Sequence, residues 1–207
     1  MNYFIKPVLF LVLVFILGCE QKEYVKDFKV EGIAVGDSLL TYFSEEDILK
    51  TQRKTDIMGN PIELEGRIYI DSVFDKYQFE TYQSLQMYYR LDDEKYIIHG
   101  VGGGIFYDYD ADKCNNKYFE VKKILEEQYT TPEITEYKDE KDEREGMGDT
   151  TVNETSYDFE DGSLIRIECN DFDNELLEIA DYFMLTIFSK EINSYFNLVN
   201  GLLENSE

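Results

Sequence analysis

Three groups of residues in this chain have types and spacings that could do chemistry. The first is His99, the only histidine, which a general acid or base would need and which lies among β-forming residues. Period two puts it on the same strand face as Ile97 and Val101, and the sequence places neither a nucleophile nor an orienting group beside it. The expectation is a half-buried sheet histidine with no triad. The second is Asp108, Asp110 and Asp112, which match the first three ligand positions of a calcium loop. Lys113 then stands where that loop needs Gly, and Glu120 falls one residue late for the bidentate ligand. These three aspartates are weak metal candidates, and a solvated acidic turn is the expected state. The third is Gly100, Gly102, Gly103 and Gly104, which lack the following helix and the Lys-Ser/Thr pair of a phosphate loop. Inside a strand pattern, such glycines point to a bulge or bend. No cofactor is expected. With 44 carboxylates some pair will always suit hydrolysis, and sequence cannot measure their separation, so no catalytic residue is named. The chain is therefore read as more in keeping with a non-enzyme.

The cysteines carry more information. Cys19 follows a short n-region bearing Lys6 and the apolar run from Val8 to Leu17. Ten apolar residues are too few to span a hydrocarbon core about 30 Å thick, which needs about 20. This is the layout of a cleaved signal peptide over residues 1–18. The ending Ile16-Leu17-Gly18-Cys19 resembles the lipobox of bacterial lipoproteins, which implies acylation of the Cys19 thiol (a diacylglycerol, with palmitate the usual chain) and a new N-terminus at Cys19. Residues 19–29 then read as the lipidated cysteine and its tether. The resemblance also implies a cell-envelope address with the body in the periplasm. In some Gram-negative bacteria Asp after the lipidated Cys marks the inner membrane; Glu20 here leaves the outer membrane as the expectation. Each buried CH₂ contributes about 0.8 kcal/mol of membrane affinity, and stable anchoring takes more than one chain. Loss of Lys6 with the signal takes the net charge from −24 to −25. Such a body repels anionic headgroups, so the anchor must hold the protein to the membrane. The same charge excludes nucleic acid as a default partner, because counterion release needs a basic surface.

Cys114 and Cys169 remain, an even count in an oxidising compartment. A disulfide is the natural pairing, with a stabilisation of roughly 3 to 5 kcal/mol on the chain-entropy estimate. Two buried free thiols are the alternative.

The elements that must position these residues are readable from periodicity and caps. With 17 Tyr and 14 Phe the chain has enough apolar area to fold despite its charge, and one domain is expected over 30–207. Asp37 and Ser44 are N-cap candidates for short helices over 38–43 and 45–51. Residues 67–74 and 81–91 are strand candidates, and 87–89 pairs with 96–98 across Asp92-Asp93-Glu94-Lys95. Asn115 or Asn116 caps a helix over about 117–129 bearing Tyr118, Val121, Leu125 and Tyr129. Residues 133–149 hold eight acidic and three basic residues and read as a mobile acidic loop extending to about 150. Asp161-Gly162 supplies positive φ to a hairpin joining 157–159 to 164–169. Leu176 to Phe188 also fits one helical face, but its aromatic and β-branched density favours a strand ending near Ser189, followed by a helix over about 190–203.

This order predicts an α+β domain, a mainly antiparallel sheet with helices packed on one face, in which a two-fold repeat of helix plus strands is visible. The order is similar to tandem helix-plus-sheet modules such as β-lactamase-inhibitor-like domains, an analogy of element order alone. The segments "GIAVGDSLLTYFSEEDI" and "DEKYIIHGVGGGIFYDYDADKC", followed by a Lys/Glu helix and a second Cys, resemble a group of uncharacterised small exported proteins of marine bacteria, over most of 30–200. That resemblance implies no activity or cofactor; it implies the element order and the pairing of Cys114 with Cys169. The functional expectation is a membrane-anchored periplasmic lipoprotein acting as a non-catalytic protein-interaction or envelope-maintenance module with an envelope protein partner. The alternatives are a carboxylate-dependent periplasmic hydrolase or a weak divalent-cation or ligand binder.

Overall fold

Seven strands form one antiparallel sheet, and two of them, SLQMYYR and LIRIECND, show the apolar–polar alternation of a sheet with one face on the core. In the computed structural model, which describes residues 25–52, 69–75, 79–141, 146–173 and 179–204, the seven are β3 (Tyr69–Phe74), β4 (Ser84–Arg90), β5 (Ile98–Phe106), β6 (Glu133–Lys141), β7 (Thr151–Asp158), β8 (Leu164–Asp171) and β9 (Tyr182–Phe188). Their order across the sheet is β3-β4-β5-β9-β8-β7-β6. A small hairpin, β1 (Lys29–Val30) with β2 (Ile33–Ala34), precedes them. The helices are α1 (Glu45–Thr51), α2 (Ala111–Gln128) and α3 (Lys190–Glu204), with a 3-10 turn at Leu39–Thr41. The expected α+β class and antiparallel sheet are present. The two-fold pattern has a structural form: α1 with β3 to β5, then α2 with β6 to β9, the last strand of each half pairing as β5 and β9 at the sheet centre.

One face of the sheet carries the main core. Leu85, Met87 and Tyr89 of β4, Val101 of β5, Phe183, Leu185 and Ile187 of β9, and Ile165, Ile167 and Cys169 of β8 share one core with Cys114, Tyr118, Val121 and Leu125 of α2, which packs over β8 and β9. Spacings of three and four keep the α2 residues on one stripe. Ile48 of α1 joins the same core. The third helix is added on the opposite face. Phe188 points away from Ile187 by strand parity, and the chain reverses at Ser189, so Ile192 and Tyr195 of α3 meet Phe188, Tyr88 and Leu164.

Several boundaries differ from the sequence expectation. The α2 helix begins at Ala111, because Asp110 caps it by accepting from the Lys113 amide at 3.1 Å, ahead of Asn115 and Asn116. Val25 and Val30 are buried, so the packed body already includes residue 25, ahead of the start at 30 expected from the sequence. Residues 133–141 form edge strand β6 instead of a mobile loop. Its side chains are almost all exposed on both faces, so no period-two signal marks it, and its backbone pairs with β7 from Glu133 opposite Asp158 to Lys141 opposite Thr151. Dense charge on a solvated edge blunts pairing with other chains. Residues 142–145 of the expected loop, the expected break at Gly59-Asn60-Pro61 and the expected signal peptide at 1–18 lie outside the described residues.

The glycines sit inside a continuous strand. The bulge falls at the start of β5, between Tyr88 and Tyr89 opposite Ile98 and Gly100, and the register then runs unbroken to Gly104. Close packing explains the glycines: a Cβ on Gly103 would lie 2.6 Å from the Tyr82 ring, and one on Gly100 would lie 2.7 Å from Phe188. The segment carrying Tyr82 is held by Glu31, whose carboxylate accepts from the amides of Glu80, Thr81 and Tyr82 at 2.9, 2.7 and 3.1 Å.

Candidate functional site

His99 lies at the start of β5, where four parts of the chain meet. Val25, Val35 and Gly36, Ile97 to His99, Asp161 and Ser163 of the β7–β8 loop, and Ser189 to Glu191 at the head of α3 enclose a recess of about 220 Å³. The fold brings Ser189 to His99 through the backbone, its amide donating to the His99 carbonyl at 2.7 Å. The Ser189 hydroxyl oxygen then stands 3.5 Å from His99 Nδ1. Burial lowers the His99 pKa, outweighing the opposing charges of Glu191 and Asp93. Burial pushes the Glu191 carboxyl up, but its own backbone amide, the Ser189 hydroxyl and His99 together hold it below its ordinary value.

Serine, histidine and a carboxylate are thus within reach of one another, in an order that does not suit nucleophilic catalysis. A relay needs the acid on the imidazole nitrogen remote from the serine. Here Glu191 attends the serine itself. The Ser189 oxygen also accepts from the Ile192 amide at 3.5 Å, and its carbonyl accepts from Asn193 at 3.0 Å, the pattern of a helix N-cap. The hydroxyl is organised to start α3.

The aspartates expected as weak metal candidates do not converge. The Asp108 residue adopts φ +51° and its carbonyl accepts from the Asp181 amide at 2.7 Å. Asp110 caps α2 and pairs with Lys113 Nζ at 2.7 Å, and that lysine holds its carboxyl below the usual range. Asp112 sits in the first turn of α2. Among the described residues, no group of three or more His, Cys, Asp or Glu side chains is placed to hold a metal ion.

A second constellation was missed in the sequence. At the far ends of β5, β8 and β9, Phe106 lies opposite Tyr182 with ring centroids 6.2 Å apart, and Phe172 is 5.6 Å from Tyr182. Phe106, Tyr109 and Ile179 remain 46%, 57% and 45% exposed. The Tyr182 hydroxyl donates to Glu168 at 3.2 Å. Across the β7–β8 pair Glu168 faces Glu154, which accepts from Ser156 at 3.1 Å and lies 3.4 Å from Arg166 Nε. Burial first, then the Glu154 charge, raises the Glu168 pKa against the pull of Arg166. Among the described residues, the buried Arg166 Nε has no hydrogen-bond partner beyond that ion-pair contact with Glu154. The usable signal was Arg166, Glu168 and Asn170 at i, i+2 and i+4 in strand β8, a polar stripe on one sheet face.

Cys114 and Cys169 stand at disulfide distance, 2.09 Å between sulfurs and 5.8 Å between Cα atoms, both buried between α2 and β8. No helix among the described residues is long and apolar enough to cross a membrane. Cys19 lies outside the described residues. Comparison with protein-family models, with curated proteins and with solved structures finds no match to this chain.

Proposed function

We propose that this chain is a lipid-anchored envelope protein, held to the membrane through Cys19, that binds another protein and catalyses no reaction of its own. The anchor rests on the run from Val8 to Leu17 and its Gly18-Cys19 ending. The observation that carries the binding role is the pair of exposed aromatics Phe106 and Tyr109 beside the half-buried Tyr182, whose hydroxyl reaches the Glu168 carboxylate. Aromatic side chains at the centre of a patch supply the buried anchor of an interface, and charged groups at its margin set encounter rate and partner choice. With a net charge of −25 on the chain from Cys19 onward, the patch fits a protein surface that is apolar at its centre and basic around it.

Two substitutions test the two halves of this reading. Cys19→Ser should abolish fatty-acid labelling and release the protein from membranes; unchanged labelling and retention would contradict the anchor. Phe106→Ala should cost about 1–2 kcal/mol from its half-buried ring and its contact with Tyr182, leaving the protein folded, while removing a partner otherwise recovered by crosslinking in membranes. Recovery of the same partner at the same yield would contradict the patch.

One observation favours a hydrolase as the second reading. Glu168 and Glu154 are directly opposed, and the raised pKa of Glu168 beside a second carboxylate is the division between acid and base that hydrolysis uses. Loss of an activity in both Glu154→Gln and Glu168→Gln, with the fold intact, would put that reading first.

A further inference from the structure

The structure sets how short the tether from the membrane anchor is and where it enters the body. Val25 is buried against the recess at the start of β5, beside Ile97, Ile98 and Ser189. Cys19 is six peptide links away, and six links reach at most about 22 Å when fully extended. The entry point is at one end of the sheet, where β5 begins and where β9 turns into α3.

We infer that this end of the sheet is a base apposed to the lipid bilayer, so that the protein stands with its strands pointing away from the membrane and its aromatic patch outermost. The inference rests on the lipid-anchor reading and adds an orientation to it. Two exposed leucines belong to the base. Leu91 lies in the turn between β4 and β5 and is 51% exposed. Leu40 is 46% exposed and follows Leu39, whose amide donates to the Tyr96 carbonyl in that same turn at 3.0 Å. Charge contributes no attraction here, since Asp92, Asp93, Glu94 and Glu160 offset Lys26, Lys95 and Lys190. The tether is what holds the base down. The patch is at the other end of the same strand: nine residues of β5, from Ile98 to Phe106, rise about 26 Å at about 3.3 Å each. A partner reached by that patch is a protein projecting from, or lying beyond, the membrane surface rather than one flush with the headgroups.

The test uses the full mature lipoprotein, acylated in cells and reconstituted into vesicles of phosphatidylethanolamine and phosphatidylglycerol that carry a nitroxide on a fraction of their headgroups. Leu91→Cys and Tyr109→Cys each add an exposed thiol for a fluorescent maleimide, the native pair being bonded and Cys19 being acylated. Quenching several-fold stronger at position 91 than at position 109 is the expected result. Equal quenching, or stronger quenching at 109, in protein whose mass spectrum shows acylated Cys19 would overturn the orientation and leave the anchor standing. A mass spectrum with Cys19 unmodified overturns the anchor itself, and the orientation with it.

Discussion

Removing the crosslink between Cys114 and Cys169 should cost this fold about 5 to 6 kcal/mol. The two cysteines are 55 residues apart in sequence, and closing a loop of that size in the unfolded chain contributes about 4 kcal/mol on the chain-entropy estimate. Replacing both residues by Ala also removes two buried sulfurs from the contact between α2 and β8, at about 1 kcal/mol each, the scale of a buried methylene. Natural domains are stable by only about 5–15 kcal/mol, so the variant should be marginal. The assay is urea unfolding of the mature chain made soluble by Cys19→Ser, in the native and Cys114→Ala/Cys169→Ala forms. Far-UV circular dichroism and the fluorescence of the 16 tyrosines left after Tyr3 is lost with residues 1–18 report the transition, there being no Trp to mask them. A loss of about 2 kcal/mol or less would be accounted for by the sulfurs alone, and would refute the claim that the crosslink stabilises by restricting the unfolded chain.

Glu168→Gln should raise stability at neutral pH. Its folded pKa lies above its ordinary value of 4.5, so the folded chain keeps a proton that the unfolded chain releases, and native stability falls as pH rises from 4.5 through the folded value. Gln removes that slope, and urea midpoints across pH would show it; equal slopes in the two proteins would contradict the assignment. Gly103→Ala should destabilise by about 1–3 kcal/mol, the range for overpacking, because the Tyr82 ring must move; an unchanged thermal midpoint would contradict the packing account. His99→Gln should leave partner binding intact, as measured by copurification from membranes, and its loss in a stable protein would bring an enzymatic role forward. Added salt should slow association more than it speeds dissociation, since screening cuts charge steering to about 8 Å at physiological ionic strength; surface plasmon resonance with the recovered partner measures both rates, and a salt effect confined to dissociation would contradict the acidic rim.

Much of the fold was legible where local chemistry was strong. Ser44 caps α1 and Asp161-Gly162 turns the β7–β8 hairpin, with Gly162 at φ +86°. The pairing register was not legible to the residue. A loop of 160–163 would set Phe159 opposite Leu164, whereas the Phe159 amide donates to the Ser163 carbonyl and Asp158 is the residue opposite Leu164. One residue of slip exchanges the faces of a strand, which is why the Glu154–Glu168 pairing could not be read in advance. Strand β6 was hidden for a different reason: its stability comes from backbone pairing with β7, and its side chains carry no apolar pattern. The surroundings of His99 depend on residues about 60 to 90 positions away, Ser189 and Asp161 among them, and such long-range contacts leave no spacing to detect.

The most direct test of a membrane-anchored binding protein is photocrosslinking in intact cells from a benzophenone amino acid placed at Tyr109 in the patch, with the same group at Leu198 on the exposed side of α3 as the control position. One dominant protein adduct from position 109, none from 198, and loss of the adduct on adding Phe106→Ala are the expected result. Identical adducts from both positions, or none from 109 in protein that is acylated and membrane-bound, would contradict the binding role.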